Sequence, residues 1–238
     1  LSIRRQRQMC IRDSFRIVEA REVLKCQSMN RSANAASLPR KSRKAVMNFA
    51  HAGAVFFRGF LDHPRMVASV IPSSRSTINA LLDRVDWDEC RLFLEYGPGV
   101  GTFSSAILDR LPPDGTYLAI DTNPRFIDYL KQAIHDPRFR PVFGSAADVE
   151  TFVRAAGHEK ADYILSGLPF SALTEEQGGS IVDASYDVLR DGGAFLTYQF
   201  RATARQLTAQ RFGKVETGVA LFNVPPCLLT WGYKLPRS

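Results

Sequence analysis

Leu94-Glu95-Tyr96-Gly97-Pro98-Gly99-Val100-Gly101-Thr102 sets one carboxylate two positions ahead of three alternating glycines. Glycine lets a backbone turn through positive φ and approach a ligand closely. The stretch follows a short apolar run, Arg91 to Glu95, and precedes a helical pattern from Thr102 to Arg110, the setting in which such a loop holds a nucleotide-like ligand. Asp121 lies twenty residues past Gly101, at the end of the next apolar run, where a carboxylate can accept both hydroxyls of a ribose. A dinucleotide loop reads G-x-G-x-x-G, whereas here the order is acidic-x-G-x-G-x-G. A merely structural glycine turn is the plainer alternative. Strand, helix and Asp121 together weigh against it.

The elements that would position these groups alternate strand and helix. Strands are predicted at Arg91–Glu95, Thr116–Asp121, Pro141–Phe143, Ala161–Ser166 and Ala194–Phe200. Between them fall helices at Thr102–Arg110, at Pro124–Ile134 with proline in its first turn, at Asp148–Ala156, and from Thr174 to about Arg190. Thr174-Glu175-Glu176-Gln177 reads as a capping box, and Asp191-Gly192-Gly193 as the end of that last helix. Arg201–Gln210 reads as a helix, and Lys214–Asn223 and Leu228–Lys234 as two strands joined through Pro225-Pro226. The expected fold class is α/β: a Rossmann-like sheet, mostly parallel, with a C-terminal antiparallel hairpin and N-terminal amphipathic helices ahead of it.

The 238 residues, 45% hydrophobic and 23% charged, suit a globular chain and argue against disorder as the main state. Net charge is +7, yet residues 1–46 hold twelve of the 31 Lys/Arg and three of the 24 acids, so the remainder is close to neutral. Such an arm suits nucleic acid or an anionic lipid surface, and a solvated tail is the bland alternative. Cys10, Cys26, Cys90 and Cys227 show neither CxxC spacing nor nearby His, which points to a reducing compartment and to no metal site. The apolar run Ala52–Leu61 is broken by Arg58 and is too short for a membrane span, and no secretory signal is evident.

Arg4 to Ser14 resembles translated adapter read-through, so residues 1–28 are expected to be a non-native or disordered extension, with Met29 or Met47 as the start. Residues 29–86 are expected to form a basic arm and N-terminal helices, and 87–238 the catalytic domain. From Lys41, the residues Val46, Phe49, Ala50, Gly53, Phe56, Phe57, Phe60 and Leu61 recur at helical spacing behind Lys41, Arg43 and Lys44. His63-Pro64 stops that helix, and Ser73 and Ser74 offer caps for one running to about Asp83. The Phe56-Phe57-Phe60 stripe suits core packing. The cations ahead of it suit a helix lying in a membrane interface.

The glycine loop with its leading acid resembles the first motif of class I S-adenosylmethionine-dependent methyltransferases. Ser166-Gly167-Leu168-Pro169-Phe170, the Phe56-Phe57-Arg58-Gly59-Phe60 helix, Ile71-Pro72-Ser73-Ser74-Arg75 and Asn223-Val224-Pro225-Pro226 through Trp231 resemble the soluble bacterial phospholipid N-methyltransferases. That resemblance spans about Lys41 to Lys234. It implies S-adenosylmethionine as cofactor and S-adenosylhomocysteine as product, without a metal. Glu95, Gly97, Gly99, Gly101, Asp121, Asp148 and Ser166 would hold the cofactor, with Asp148 either accepting from the adenine amine or capping a helix. Tyr198, Pro169 and Phe170 would be catalytic, and Leu168, Phe170, Tyr198 and Phe200 would line an apolar acceptor site. Tyr198 or Gln199 would accept a hydrogen bond from the amine.

The expected reaction is stepwise methylation of phosphatidylethanolamine towards phosphatidylcholine. The enzyme would be cytoplasmic and peripheral to the inner face of the membrane, held through Lys41, Arg43, Lys44, Phe56, Phe57 and Phe60. Base methyltransferases carry Asn/Asp-Pro-Pro-Tyr/Phe at the fourth strand, and Leu168 in place of the polar residue departs from that pattern. A ribosomal RNA adenine methyltransferase, whose basic arm would hold phosphates, is the main alternative. Another small-molecule N-methyltransferase is a further one, as is a cofactor-binding module without activity.

Overall fold

The computed structural model describes residues 75–220 and 226–236. The arm residues Lys41, Arg43 and Lys44, the aromatic stripe Phe56, Phe57 and Phe60, the Ser73/Ser74 caps and Asn223-Val224-Pro225 lie outside the described residues.

Helix α1 (Arg75–Leu82) precedes a βα alternation: β1 (Leu92–Tyr96), α2 (Ser104–Leu108), β2 (Thr116–Asp121), α3 (Pro124–Ala133), β3 (Phe139–Phe143), α4 (Val149–Ala155), β4 (Ala161–Ser166), α5 (Glu175–Val188) and β5 (Leu189–Gln199). Helix α6 (Thr203–Arg211) leads to β6 (Lys214–Ala220) and β7 (Cys227–Tyr233). The seven strands form one sheet in the order β3-β2-β1-β4-β5-β7-β6. Strands β1 to β5 run parallel, and β7 is antiparallel to both β5 and β6. The order reverses between β1 and β4, so the crevice beyond their C-terminal ends is the natural ligand position.

Local chemistry explains several boundaries. Asn123 accepts from the Arg125 amide ahead of Pro124 in the first turn of α3. Thr174 and Gln177 exchange the two bonds of a capping box at the start of α5. All five residues of β1 are buried, as a central parallel strand covered on both faces requires. On one face Leu81, Leu82, Phe103, Ile107 and Leu130 pack over Phe93, Tyr117, Leu196 and Trp231. On the other, Val149, Val153, Ile181, Val182 and Leu207 pack over Leu94, Ile164 and Phe195.

Three expectations are corrected. Helix α5 stops at Val188 rather than near Arg190, and Asp191-Gly192-Gly193 lies inside β5. Leu189 pairs with Ala161, the register then shifts, and Ala194 pairs with Tyr163. The intervening residues form a bulge in which Gly192 has φ +78°. Lys234 closes it, accepting from the Gly192 amide at 2.8 Å and donating to Gly193 O at 2.9 Å. Helix α2 covers only Ser104–Leu108, and β3 begins at Phe139, two residues before the expected Pro141. Helix α1 packs on the core of the sheet through Ile78, Leu81 and Leu82, and Trp231 of β7 donates to Leu81 O at 3.2 Å.

Asp162 ties together the N-terminal ends of three strands. Its carboxylate accepts from the Arg91 and Leu92 amides, both at 2.8 Å, and pairs with Arg190 in the bulge.

Candidate active site

At the C-terminal end of β1 the chain turns through Gly97, Gly99 and Gly101, with φ of +65°, +56° and +78°. Among the described residues positive φ occurs only at glycine, as the steric cost of a Cβ there demands. A Cβ on Gly97 would stand 3.2 Å from Leu168 Cδ2, and one on Gly101 would stand 2.9 Å from Leu130 Cδ2. The Gly97 amide donates to Ile120 O at 2.9 Å, and the Gly101 amide to Pro98 O at 2.8 Å. The result is a cradle of bare backbone at the switch point of the sheet.

Asp121 closes one side of this cradle. Its carboxylate accepts from the Gly99 amide at 3.3 Å and from the Asn123 amide at 2.8 Å. Burial raises its pKa, and those two amides oppose the shift. An acceptor held this way at the end of β2 suits sugar hydroxyls. Cradle and carboxylate together fit S-adenosylmethionine, a nucleoside whose methionine part needs close backbone approach.

Glu95 is buried within β1, one residue before the sheet ends. Its carboxylate accepts from the Tyr117 hydroxyl of β2, which lies 3.0 Å from Ser104 Oγ on α2. Burial pushes the carboxyl up to about 7, with the Tyr117 bond opposing and Asp121 adding to the rise. No ion pair to Glu95 forms among the described residues.

The fourth strand ends in Ser166 and Gly167. Ser166 is fully buried and its hydroxyl accepts from the Leu168 amide at 3.4 Å, which shapes the turn at the end of β4. Leu168 is half-buried over Gly97, and its carbonyl accepts from Gln199 Nε2 at 2.9 Å. That bond uses the amide nitrogen of Gln199 and leaves its role as an acceptor to Oε1. Pro169 is half-buried and opens a short 3₁₀ turn. Phe170 departs from its expected place: its ring is 1% exposed and packs edge-on against Phe195, centroids 6.4 Å apart, beneath α5 and α6. Gly178 of α5 borders the ring: a Cβ there would touch Phe170 Cδ1 at 3.4 Å and crowd Leu207 Cδ1 at 2.7 Å. The ring belongs to the core, not to a site wall.

Tyr198 sits near the end of β5 on the Glu95 side of the sheet, its ring 4.9 Å from that of Phe103. Asp148 is exposed and makes no capping bond; Ser145 caps this turn by accepting from the Ala147 amide. Phe103, Tyr117 and Ser104 also border the site, and the motifs of the sequence do not single them out. Tyr117 carries a signal in hindsight, being a polar-tipped aromatic in an otherwise apolar central strand.

Residues 93–193 match the family described as a methyltransferase domain. The ornithine lipid N-methyltransferase of Singulisphaera acidiphila is 28% identical over 142 residues, covering 59% of this chain and 74% of that protein. Ribosomal RNA small subunit methyltransferase H of Shewanella denitrificans is 33% identical over 102 residues, 42% of this chain, but the chain spans only 31% of that protein's length. Among solved structures, the N-methyltransferase NodS of Bradyrhizobium japonicum superposes with TM-score 0.55 at 16% identity, over 68% of this chain and 96% of its own. The precorrin-6y C5,15-methyltransferase of Geobacter metallireducens does so with TM-score 0.53 at 15% identity, over 68% and 90%. At such identities the likeness is one of fold. The chain therefore carries a methyltransferase domain over residues 93–193 on a Rossmann-like sheet, the equipment of an enzyme that takes its methyl group from S-adenosylmethionine.

Proposed function

We propose that the enzyme methylates the amine of a membrane lipid, phosphatidylethanolamine in the first instance and stepwise towards phosphatidylcholine, working at the inner membrane surface from the cytoplasm. The observation that carries this reading is the match across 74% of a lipid N-methyltransferase. The alignment with the ribosomal RNA enzyme reaches less than a third of that protein.

The cofactor, when bound, supplies an already activated methyl electrophile, so the protein's work is to hold, align and desolvate. In this reading Gly97, Gly99 and Gly101 carry the methionine portion and Asp121 accepts the ribose hydroxyls. Asp148 would accept from the adenine amine. The acceptor must arrive as a neutral amine, although a primary ammonium ordinarily titrates at about 10. Leu168, Tyr198 and Phe103 surround the strand ends with apolar surface, which favours the uncharged form. Arg201 and Arg205 are exposed just beyond β5 and suit the phosphate of a headgroup. Lys41, Arg43 and Lys44, with Phe56, Phe57 and Phe60, would hold the enzyme at an anionic surface.

The deciding experiment offers radiolabelled S-adenosylmethionine with total lipid and with total RNA in parallel. Label in aminophospholipid is expected. Label confined to RNA would replace this reading with the base-methyltransferase one, and label in ornithine lipid alone would move the acceptor within the lipid class.

A further inference from the structure

Gly167 does not owe its missing side chain to its backbone, because its φ lies outside the left-handed region. What stands beside it is the reason. A Cβ at this position would lie 2.7 Å from the Tyr198 hydroxyl, 3.0 Å from Gly97 O and 3.4 Å from Tyr96 O. The first two distances are shorter than ordinary contact, so any side chain at 167 and the phenol compete for one volume.

That phenol is also a polar group without a hydrogen bond at the strand ends, among the described residues. Ser166 Oγ accepts from the Leu168 amide and Gln199 Nε2 is spent on the Leu168 carbonyl. The Tyr198 hydroxyl makes no hydrogen bond among the described residues, although its ring is 6% exposed and held by Phe103. Burial raises its pKa, so the oxygen stays neutral and able to accept an N–H.

We infer that Gly167 and Tyr198 act as one acceptor-reading pair: β5 delivers the phenol oxygen to the end of β4, where it orients the incoming nitrogen, and Gly167 is the residue that admits it. The inference rests on the acceptor being an amine, as proposed above. It carries a consequence for successive transfers. A primary amine offers two N–H groups, a monomethylated one offers a single N–H, and a neutral dimethylated amine offers none. The phenol therefore guides the first two methylations and not the third.

The test is a double-mutant cycle in the full chain with Gly167→Ala, Tyr198→Phe and the double variant. Phosphatidylethanolamine and its mono- and dimethylated forms are presented in phosphatidylglycerol vesicles. Tyr198→Phe is expected to slow the first and second transfers about tenfold while the third and the affinity for S-adenosylhomocysteine hold. Gly167→Ala is expected to lower both rate and thermal midpoint, and to do so far less when Phe occupies position 198. Additive effects in the cycle, or equal slowing of all three transfers, would overturn the pair. The midpoint cycle needs no acceptor. If the wild-type enzyme labels RNA and not vesicles, the lipid reading fails, and the same rate cycle run on that RNA still decides the pair.

Discussion

The Tyr117 hydroxyl donates to the Glu95 carboxylate inside the sheet, one strand across and one residue short of the glycine turn. Ser104 Oγ lies 3.0 Å from the same hydroxyl and ties the pair to the first residue of α2. A buried acid is thus held by a neutral donor, and its proton affinity becomes part of the protein's stability.

Burial raises the Glu95 carboxyl from 4.5 to about 7. The folded state then binds this proton more tightly than the unfolded chain does. The group's contribution is full below the unfolded value and is lost as pH rises through about 7. Relative to wild type, Glu95→Gln is expected to gain stability from about pH 5 to pH 8, by a few kcal/mol. Thermal midpoints of the two proteins across that range check this. A difference independent of pH would show that the carboxyl titrates normally.

Tyr117→Phe removes the donor and leaves the buried acid without one. A loss of about 1–3 kcal/mol is expected, larger at high pH, where the carboxylate would be charged. Denaturant titration at two pH values distinguishes this from a simple packing defect, which would cost the same at both.

Asp121→Asn keeps the shape of the side chain and one acceptor oxygen while removing the charge. Calorimetry with S-adenosylhomocysteine is expected to show affinity falling about tenfold or more, and the ligand-free protein is expected to lose about 1–3 kcal/mol because one of the two amides loses its acceptor. Undiminished binding would put the sugar elsewhere.

Thr197 Oγ1 is the one buried side-chain polar atom without a partner among the described residues. Thr197→Val preserves the branched shape in β5 and removes that orphan. The variant is expected to be more stable by about 1 kcal/mol. A loss of stability would mean that the hydroxyl has a partner in solution.

Replacing Arg201 and Arg205 together by Ala is expected to raise KM for phosphatidylethanolamine vesicles several-fold and to leave kcat and S-adenosylhomocysteine affinity alone. The wild-type advantage is expected to shrink with added salt, as screening of exposed charge requires.

The strand–helix alternation was legible because buried parallel strands read as continuous apolar runs and their helices carry caps, as at Asn123 and Thr174. The glycine loop was legible for a similar reason, since three left-handed positions leave few other residues to choose from. The bulge at Asp191-Gly192-Gly193 was not: two glycines after a helix commonly end it, and only the pairing of Lys234 across from β7 turns them into strand. Phe170 looked like a site wall because it lies next to Pro169, yet its ring packs against Phe195 in the core. The closeness of Gly167 to Tyr198 joins residues 31 positions apart through a parallel register and a side-chain length, neither of which a linear pattern displays.

Asp162 gathers β1, β4 and the bulge of β5 at the end of the sheet far from the glycine turn. Mechanical integrity is therefore anchored at one pole and ligand recognition is worked out at the other. Substitutions at the strand tips can retune which nitrogen is accepted while the anchored pole keeps the architecture intact.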